Sequence, residues 1–216
     1  MELRDKNGLT EQEFLAQYKP GDYARPSMTA DMLIFAAPGL KESLTIPALS
    51  EHEIKILLIK RGGHPCLGQW AIPGGFVNPT ETVTQAAYRE LEEETGLTNI
   101  PLRQLYTFSQ PGRDPRTWVM SCAHLALLDT DAVNIQAGDD ADNAAWFNIG
   151  LKIMQSGKKN RYYKITLTHE DTVLYSFLEC PIDHFDEHDC KVLENDGLAF
   201  DHPKMLLAGL LDLLNL

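Results

Sequence analysis

The sequence predicts a mixed β-sheet with a few packed helices, in the α/β (α+β) class. Two observations carry that reading. Strand candidates outnumber helical ones along the whole chain. One of them, "EIKILLIKR" (53–61), places apolar residues on both faces, through Ile54, Ile56 and Leu58 on one side and Leu57 and Ile59 on the other. A strand apolar on both faces belongs inside a sheet covered on both sides, and the few helices supply the cover. The chain has 216 residues, 44% of them hydrophobic. That suffices for one globular domain with a proper core.

The elements follow in order. Residues 1–26 mix charges with Pro20, Gly21 and Pro26, and read as an arm leading into the fold. Within it, "TEQEFLAQY" is a short helix capped by Thr10, with Glu13 completing a capping box. "MTADMLIFAA" (28–37) is a strand, and 53–61 is the next. "WAIPGGF" (70–76) is a short strand ending at a Pro-Gly-Gly turn. A helix then starts at Thr82 with Gln85 in a capping box, Asn78 with Glu81 offering a competing start, and it stops at Gly96. "RQLYTFS" (103–109), "WVMSCAHLALL" (118–128) and "AAWFNI" (144–149) are strands. "YYKITLT" and "TVLYSFLE" form a hairpin around His169–Asp171. "CPIDHFDEHDCK" reads as an irregular acidic loop. "PKMLLAGLLDLLNL" (203–216) is a terminal helix with Asp201 as its cap and Pro203 in its first turn. The expected organisation is an arm (1–26), a core (27–150), an inserted hairpin with an acidic loop (151–196), and a C-terminal helix packing on the core (197–216).

Net charge is −12. Such a surface repels DNA and RNA, so nucleic acid is not an expected partner. No apolar stretch reaches membrane-spanning length and no signal peptide is visible, so the expected compartment is the cytoplasm. The four cysteines, at 66, 122, 180 and 190, contain no C-x-x-C pair and read as reduced thiols. His184 and His188, four residues apart, invite a metal reading, but they sit among Asp183, Asp186, Glu187 and Asp189 and read as part of a solvated loop.

The chemistry concentrates in "YRELEEETGL" (88–97). A helix turns about 100° per residue. Relative to Glu90, Glu94 lies roughly 40° to one side and Glu93 roughly 60° to the other, while Glu92 lies about 160° away. Val83, Ala86 and Ala87 project onto the same stripe as Glu90, Glu93 and Glu94. An apolar stripe thus runs into three clustered carboxylates. Inward-leaning carboxylates demand a cation, and oxygen-only ligands suit Mg²⁺ or Mn²⁺.

Reading outward, Gly75, Glu81, Arg89, Glu90, Leu91, Glu93, Glu94, Gly96 and Leu97 stand at the fixed spacing of the Nudix box. The chain resembles the Nudix hydrolases, and "RPSMTADMLIF", "WAIPGGFV", "GRDPRTWVMSCAHLAL", "GDDADNAAWF" and "LAFDHPKMLLAGL" resemble the ADP-ribose-pyrophosphatase-like branch, close to the Nudix domains of nicotinamide-metabolism repressors. Roughly 26–149 and 197–210 carry the likeness. It departs at Thr80, where relatives carry glycine, and at Thr117-Trp118, where relatives have a small residue.

The resemblance implies an α/β/α sandwich around the mixed sheet, and metal-dependent hydrolysis of a nucleoside diphosphate linked to another moiety. ADP-ribose, giving AMP and ribose 5-phosphate, is the expected substrate. NADH, sugar nucleotides and oxidised nucleotides are alternatives, as is a sensing domain that binds ADP-ribose-like effectors without turnover. Against the sensor stand the intact box and the end of the chain at Leu216, soon after the terminal helix. The resemblance further implies metal ligation by Glu90, Glu93, Glu94 and the Gly74 carbonyl, with Arg89 and Glu81 orienting the box and Glu92 a bystander. The catalytic base is Asp139 or Asp140 in "AGDDADN", unless these form an ordinary Gly-Asp turn and Glu93 does that work. Arg113 and Arg116 recognise the pyrophosphate or the terminal ribose; the other reading is a solvated turn with Asp114 pairing internally. A homodimer is expected by the same resemblance.

Overall fold

The computed structural model describes residues 2–38, 54–131 and 141–214. Ten strands form one sheet: β1 (Ser27–Ala36), β2 (Lys55–Arg61), β3 (Trp70–Ala71), β4 (Gly74–Phe76), β5 (Arg103–Phe108), β6 (Val119–Leu128), β7 (Ala141–Ser156), β8 (Asn160–His169), β9 (Thr172–Pro181) and β10 (Lys191–Asp196). Among the described residues three α-helices accompany them: α1 (Glu11–Gln17), α2 (Val83–Thr95) and α3 (His202–Leu214). The main path runs β10-β9-β8-β7-β2-β1-β6-β5, with β3 on β2 and β4 on β1. β1 and β6 pair in parallel through ten registered positions. The other named pairs among the described residues are antiparallel, so the sheet is mixed.

Alternation along β1 explains the layers. Leu33 and Phe35 point to one face and join Ile56, Leu58, Phe147, Met205 and Leu206 from β2, β7 and α3. Ala30, Met32 and Ile34 point to the other and join Leu57 with Ala86, Ala87 and Leu91 of α2. Period-two side chains thus give the strand two cores, one under each helix. This is the α/β/α layering. None of the described helices is long and apolar enough to cross a membrane.

The sheet is not closed everywhere. Among the described residues β1 and β2 pair only at Phe35↔Ile56 and Ala36↔Lys55. Beyond that point β1 takes β4 as partner at Thr29–Asp31, and β2 takes β3 at Ile59 and Lys60. The predicted strand at 70–76 is therefore two short strands, broken at Ile72-Pro73 and held by different neighbours. The Met32 N–H donates to the Pro73 carbonyl (2.8 Å) across the break. This divergence opens a cleft in the sheet, and the cleft is where the chemistry-bearing side chains collect.

Other expectations meet the structure as follows. β7 extends past 144–149 and crosses residue 150 without interruption. β8 and β9 pair around a tight turn at His169↔Thr172. β10 continues the sheet just after the acidic loop, pairing Lys191 with Glu179, although its sequence, "KVLEND", carries too many charges to show a strand pattern. That pairing brings Cys180 beside Cys190, and the two are disulfide-bonded, which corrects the reading of both as reduced thiols. Residues ten apart meet here because two strands return antiparallel. Trp70 is a core residue, edge-on to Phe147 at 4.7 Å. Tyr18 and Tyr23 stack on each other on the exposed arm.

Candidate active site

Around the cleft lies a cavity of about 680 Å³, lined from β1, β2, β4, α2, the β5–β6 loop and the start of α3. Its two walls differ in sign.

The acidic wall is built locally. The Thr82 hydroxyl caps α2, accepting from the Gln85 N–H while the Gln85 side chain accepts from the Thr82 N–H. Gly96 adopts the left-handed conformation that ends the helix (φ 69°) and donates to the Glu92 carbonyl. Ala86, Ala87 and Leu91 bury one side of α2, which swings Glu90 and Glu94 against the glycine turn. A Cβ on Gly75 would fall inside the Glu90 carboxylate, so only glycine lets the two approach. Glu94 Oε2 accepts from the Gly74 N–H at 2.7 Å.

Arg89 ties the box together. Its Nε and Nη2 donate to Glu81 (3.1 and 2.7 Å), its Nη1 to Glu90 (2.6 Å) and Glu93 (2.9 Å), and its Nη2 to the Phe76 carbonyl (3.0 Å). Glu81 also accepts from the Asn78 N–H and side-chain amide. Hydrogen bonds from Arg89, then from Asn78, hold the Glu81 carboxyl down to about 2. Glu93 differs from its neighbours. Its side chain is 56% exposed and turns outward onto Arg89.

The buried carboxylates behave oppositely to Glu81. Burial pushes Glu90 up, and Arg89 only partly opposes it. Burial pushes Glu94 up to about 8, helped by the charges of Glu90 and Asp31 and opposed by the Gly74 N–H and Arg61. Asp31 was not anticipated. It sits on β1 opposite Gly74, and its carboxylate accepts from Thr29 (3.0 Å) and from the Ser121 hydroxyl. Burial raises its pKa as well. A lone carboxylate inside the apolar run "ADMLIF" was the available signal.

The facing wall is cationic, and distant segments assemble it. Arg113 donates from Nε and Nη2 to Asp201 at 2.9 and 2.7 Å, a bidentate pair that is nearly buried. Arg116 pairs with Asp114 in the same two-pronged way. Burial alone would raise Asp114, but the Arg116 contacts outweigh it and hold the carboxyl low. Both expected arginines thus line the cavity, each already engaged by a carboxylate. Asp201 pairs with Arg113 through its side chain, and its carbonyl accepts the Lys204 N–H at the helix start.

Arg61, at the end of β2, was also missed. It donates to the Pro65 carbonyl (2.8 Å) and lies over the Phe200 ring at 5.0 Å. Arg116 lies between Phe76 (5.1 Å) and Phe200 (5.8 Å), so rings and guanidiniums alternate along the wall. His202 completes it, its Nδ1 accepting from the Ile72 N–H at 2.9 Å. Asp139 and Asp140 lie outside the described residues.

The oxygen donors fit a hard divalent ion. Glu90, Glu94 and Asp31 are crowded, desolvated and short of positive charge, which is the environment such an ion relieves. Among the described residues no three acidic, histidine or cysteine side chains converge on one point as they stand. Glu93 in particular keeps its carboxylate on Arg89.

Known proteins show the family. The chain is 37% identical over 134 residues to the ADP-ribose pyrophosphatase of Methanocaldococcus jannaschii, covering 62% of this chain and 72% of that protein. It is 33% identical over 145 residues to the ADPR responsive transcriptional repressor NtrR of Acinetobacter baylyi, covering 66% of this chain and 53% of that one, so it spans about half the repressor's length. The crystal structure of a MutT/nudix family protein from Enterococcus faecalis superposes with a TM-score of 0.66 at 32% identity, over 96% of this chain and 70% of that one. The NUDIX domain model matches residues 41–181. The chain belongs to the Nudix family.

Proposed function

We propose that this chain hydrolyses the pyrophosphate bond of a nucleoside diphosphate linked to another moiety, with ADP-ribose, giving AMP and ribose 5-phosphate, as the leading substrate. One observation carries the reading: Glu90, Glu94 and Asp31 crowd around the Gly74–Gly75 turn in a cavity whose opposite wall holds Arg61, Arg113 and Arg116. Likeness to an ADP-ribose pyrophosphatase supports the substrate.

Glu90, Glu93, Glu94 and the Gly74 carbonyl would hold Mg²⁺ or Mn²⁺, which when bound neutralises the pyrophosphate, polarises phosphorus and lowers the pKa of a bound water. The remaining work belongs to the chain. Arg89 holds Glu90 and Glu93 in register through one guanidinium. Arg61 and Arg113 offer charge-assisted donors to phosphate oxygens, and their partners keep them oriented before substrate arrives. Proton removal from the attacking water falls to Asp139 or Asp140, with Glu93 as the other candidate. The reading includes a homodimer, supported by the exposed apolar side chains Phe14 and Leu15 of α1 and Tyr18 just after it.

A second reading is an effector-binding domain without turnover, favoured by the likeness to an ADPR-responsive repressor. One experiment separates them. Cleavage of ADP-ribose, NADH, sugar nucleotides and oxidised nucleotides is followed with Mg²⁺, Mn²⁺ or EDTA. Metal-dependent cleavage led by ADP-ribose is the expected result. Preference for another compound retains the chemistry and discards the substrate. Tight ADP-ribose binding with no cleavage of any compound establishes the sensor.

A further inference from the structure

We propose that His202 is a substrate-binding residue whose Nε2–H donates a hydrogen bond to a phosphate oxygen of the bound diphosphate. The inference rests on the diphosphate reading above and adds a contact outside the box.

The tautomer follows from one bond. The Ile72 N–H donates to His202 Nδ1 at 2.9 Å. A ring nitrogen that accepts carries no proton, so the neutral imidazole has its proton on Nε2. Neutrality is enforced by the surroundings. Burial, then the charges of Arg113 and Arg61, push the ring down to about 3. His202 is only 5% exposed, yet it lines the cavity, and its Nε2 has no hydrogen-bond partner among the described residues. The cavity that His202 lines is where an acceptor can reach that donor.

The field selects the acceptor. Two guanidiniums flank the ring, so the local potential favours an anionic oxygen over a neutral hydroxyl. A neutral donor between two cations adds a hydrogen bond without adding like-charge repulsion. The ring is also fixed in place. Trp70 N donates to the Gly197 carbonyl and Ala199 N to the Trp70 carbonyl, both at 2.8 Å, which pins the preceding residues to β3. Phe200 then takes a left-handed backbone (φ 48°), a conformation a bulky residue adopts only when its neighbours hold it there. It places its own ring between two arginines and 5.5 Å from that of His202.

Two substitutions separate binding from structure. In His202→Asn the amide oxygen replaces Nδ1 as acceptor for Ile72, and nothing replaces the Nε2 donor. In His202→Gln the amide nitrogen replaces Nε2, and nothing replaces Nδ1. Binding of α,β-methylene ADP-ribose and of α,β-methylene ADP, each with Mg²⁺, is measured by calorimetry beside thermal melts. His202→Asn is expected to melt like wild type and bind both analogues roughly ten- to a hundredfold more weakly. His202→Gln is expected to bind near wild-type strength and melt lower. Wild-type binding by His202→Asn, or weakened binding confined to His202→Gln, overturns the proposal. Weakening towards the ADP-ribose analogue alone assigns the contact to a sugar hydroxyl and overturns the phosphate assignment. If the wild-type protein binds neither analogue, the diphosphate reading fails and the inference falls with it; binding by wild type and His202→Asn alike removes the inference alone.

Discussion

The two walls of the cavity are built in opposite ways. Apart from Asp31 on β1, the acidic wall comes from one continuous stretch, Gly74 to Gly96, folded as turn, cap and helix. The cationic wall comes from the end of β2, the β5–β6 loop and the segment 197–202. They also differ in charge balance. Arg113 has Asp201 and Arg116 has Asp114, so two of the three arginines of the cationic wall have a carboxylate partner before a ligand arrives. Glu90 and Glu94 share Arg89 and the Gly74 N–H, which leaves the acidic wall short of positive charge. One wall stores repulsion that a cation would relieve. The other is a set of donors already oriented. Perturbing the first should alter chemistry with little cost to folding, and perturbing the second should alter both.

The largest effect is expected at Glu94. Glu94→Gln removes a proposed ligand charge and should cut metal-dependent cleavage of ADP-ribose by orders of magnitude. The fold should survive, because the amide still accepts from Gly74. The wild-type protein offers a matching titration. In the folded chain Glu94 rises from 4.5 to about 8, so its contribution to stability is full below about pH 4.5 and is lost as pH rises towards 8. Glu81 falls from 4.5 to about 2, so its contribution is present above about pH 4.5 and is lost as pH falls towards 2. Melts in EDTA should therefore decline between about pH 4.5 and about pH 8 through Glu94, and Mg²⁺ should raise the Tm more at pH 8 than at pH 5. Glu94→Gln should flatten that decline. A decline that persists unchanged would assign the titration to another group.

Next comes Gly75→Ala. The added methyl occupies the space of the Glu90 carboxylate, which must move. A misplacement of about 1 Å in a catalytic group costs roughly a hundredfold in rate, so kcat should fall by about that factor. Wild-type kcat would mean that Glu90 has room the geometry does not show.

Asp201→Asn tests the compensated wall. It leaves the Arg113 guanidinium nearly buried without its counter-charge. Breaking a buried pair by removing one partner costs about 3 kcal/mol, which urea unfolding would read directly. Arg113 would also lose its fixed orientation, and KM should rise about tenfold with a smaller change in kcat. A stability loss with KM unchanged would make the pair structural only.

The same contrast explains what was legible in the sequence. The acidic wall could be read because its determinants are local. Capping at Thr82, termination at Gly96 and the convergence of Glu90 with Glu94 all follow from spacing along one helix. The cationic wall could be read only in part: Arg113, Asp114 and Arg116 stand in one turn, but the pairs that join that turn and β3 to the start of the last helix link residues far apart, such as Arg113 with Asp201 and Ile72 with His202. Asp201 was read as the cap of the terminal helix, which its position also satisfies. Arg61 was counted into a strand end, and Asp31 was lost inside an apolar run. The sheet was legible for the same reason as the helix, through local alternation, until β10, where charges mask the pattern. Glu93 marks the limit of the angular argument. It falls within the carboxylate sector by angle, but Arg89 draws it outward.

Glu92 provides the finest test of the comparison, and the smallest effect. It stands in the same acidic run as Glu90, Glu93 and Glu94, so composition alone cannot separate them. Position can. Glu92 is exposed on α2, away from the Gly74–Gly75 turn, and its part in the structure is through its backbone carbonyl, which receives the Gly96 N–H. Substitution of the side chain leaves that bond intact. Glu92→Gln should keep kcat and KM within about twofold of wild type and move stability by less than about 0.5 kcal/mol. Measured in the same assay as Glu94→Gln, it sets the helical face against simple charge density. If the two variants lose activity alike, the acidic wall works through its summed field rather than through the carboxylates that face the turn. If Glu92→Gln is silent, two residues along one helix separate a group that the chemistry requires from one that solvent can take.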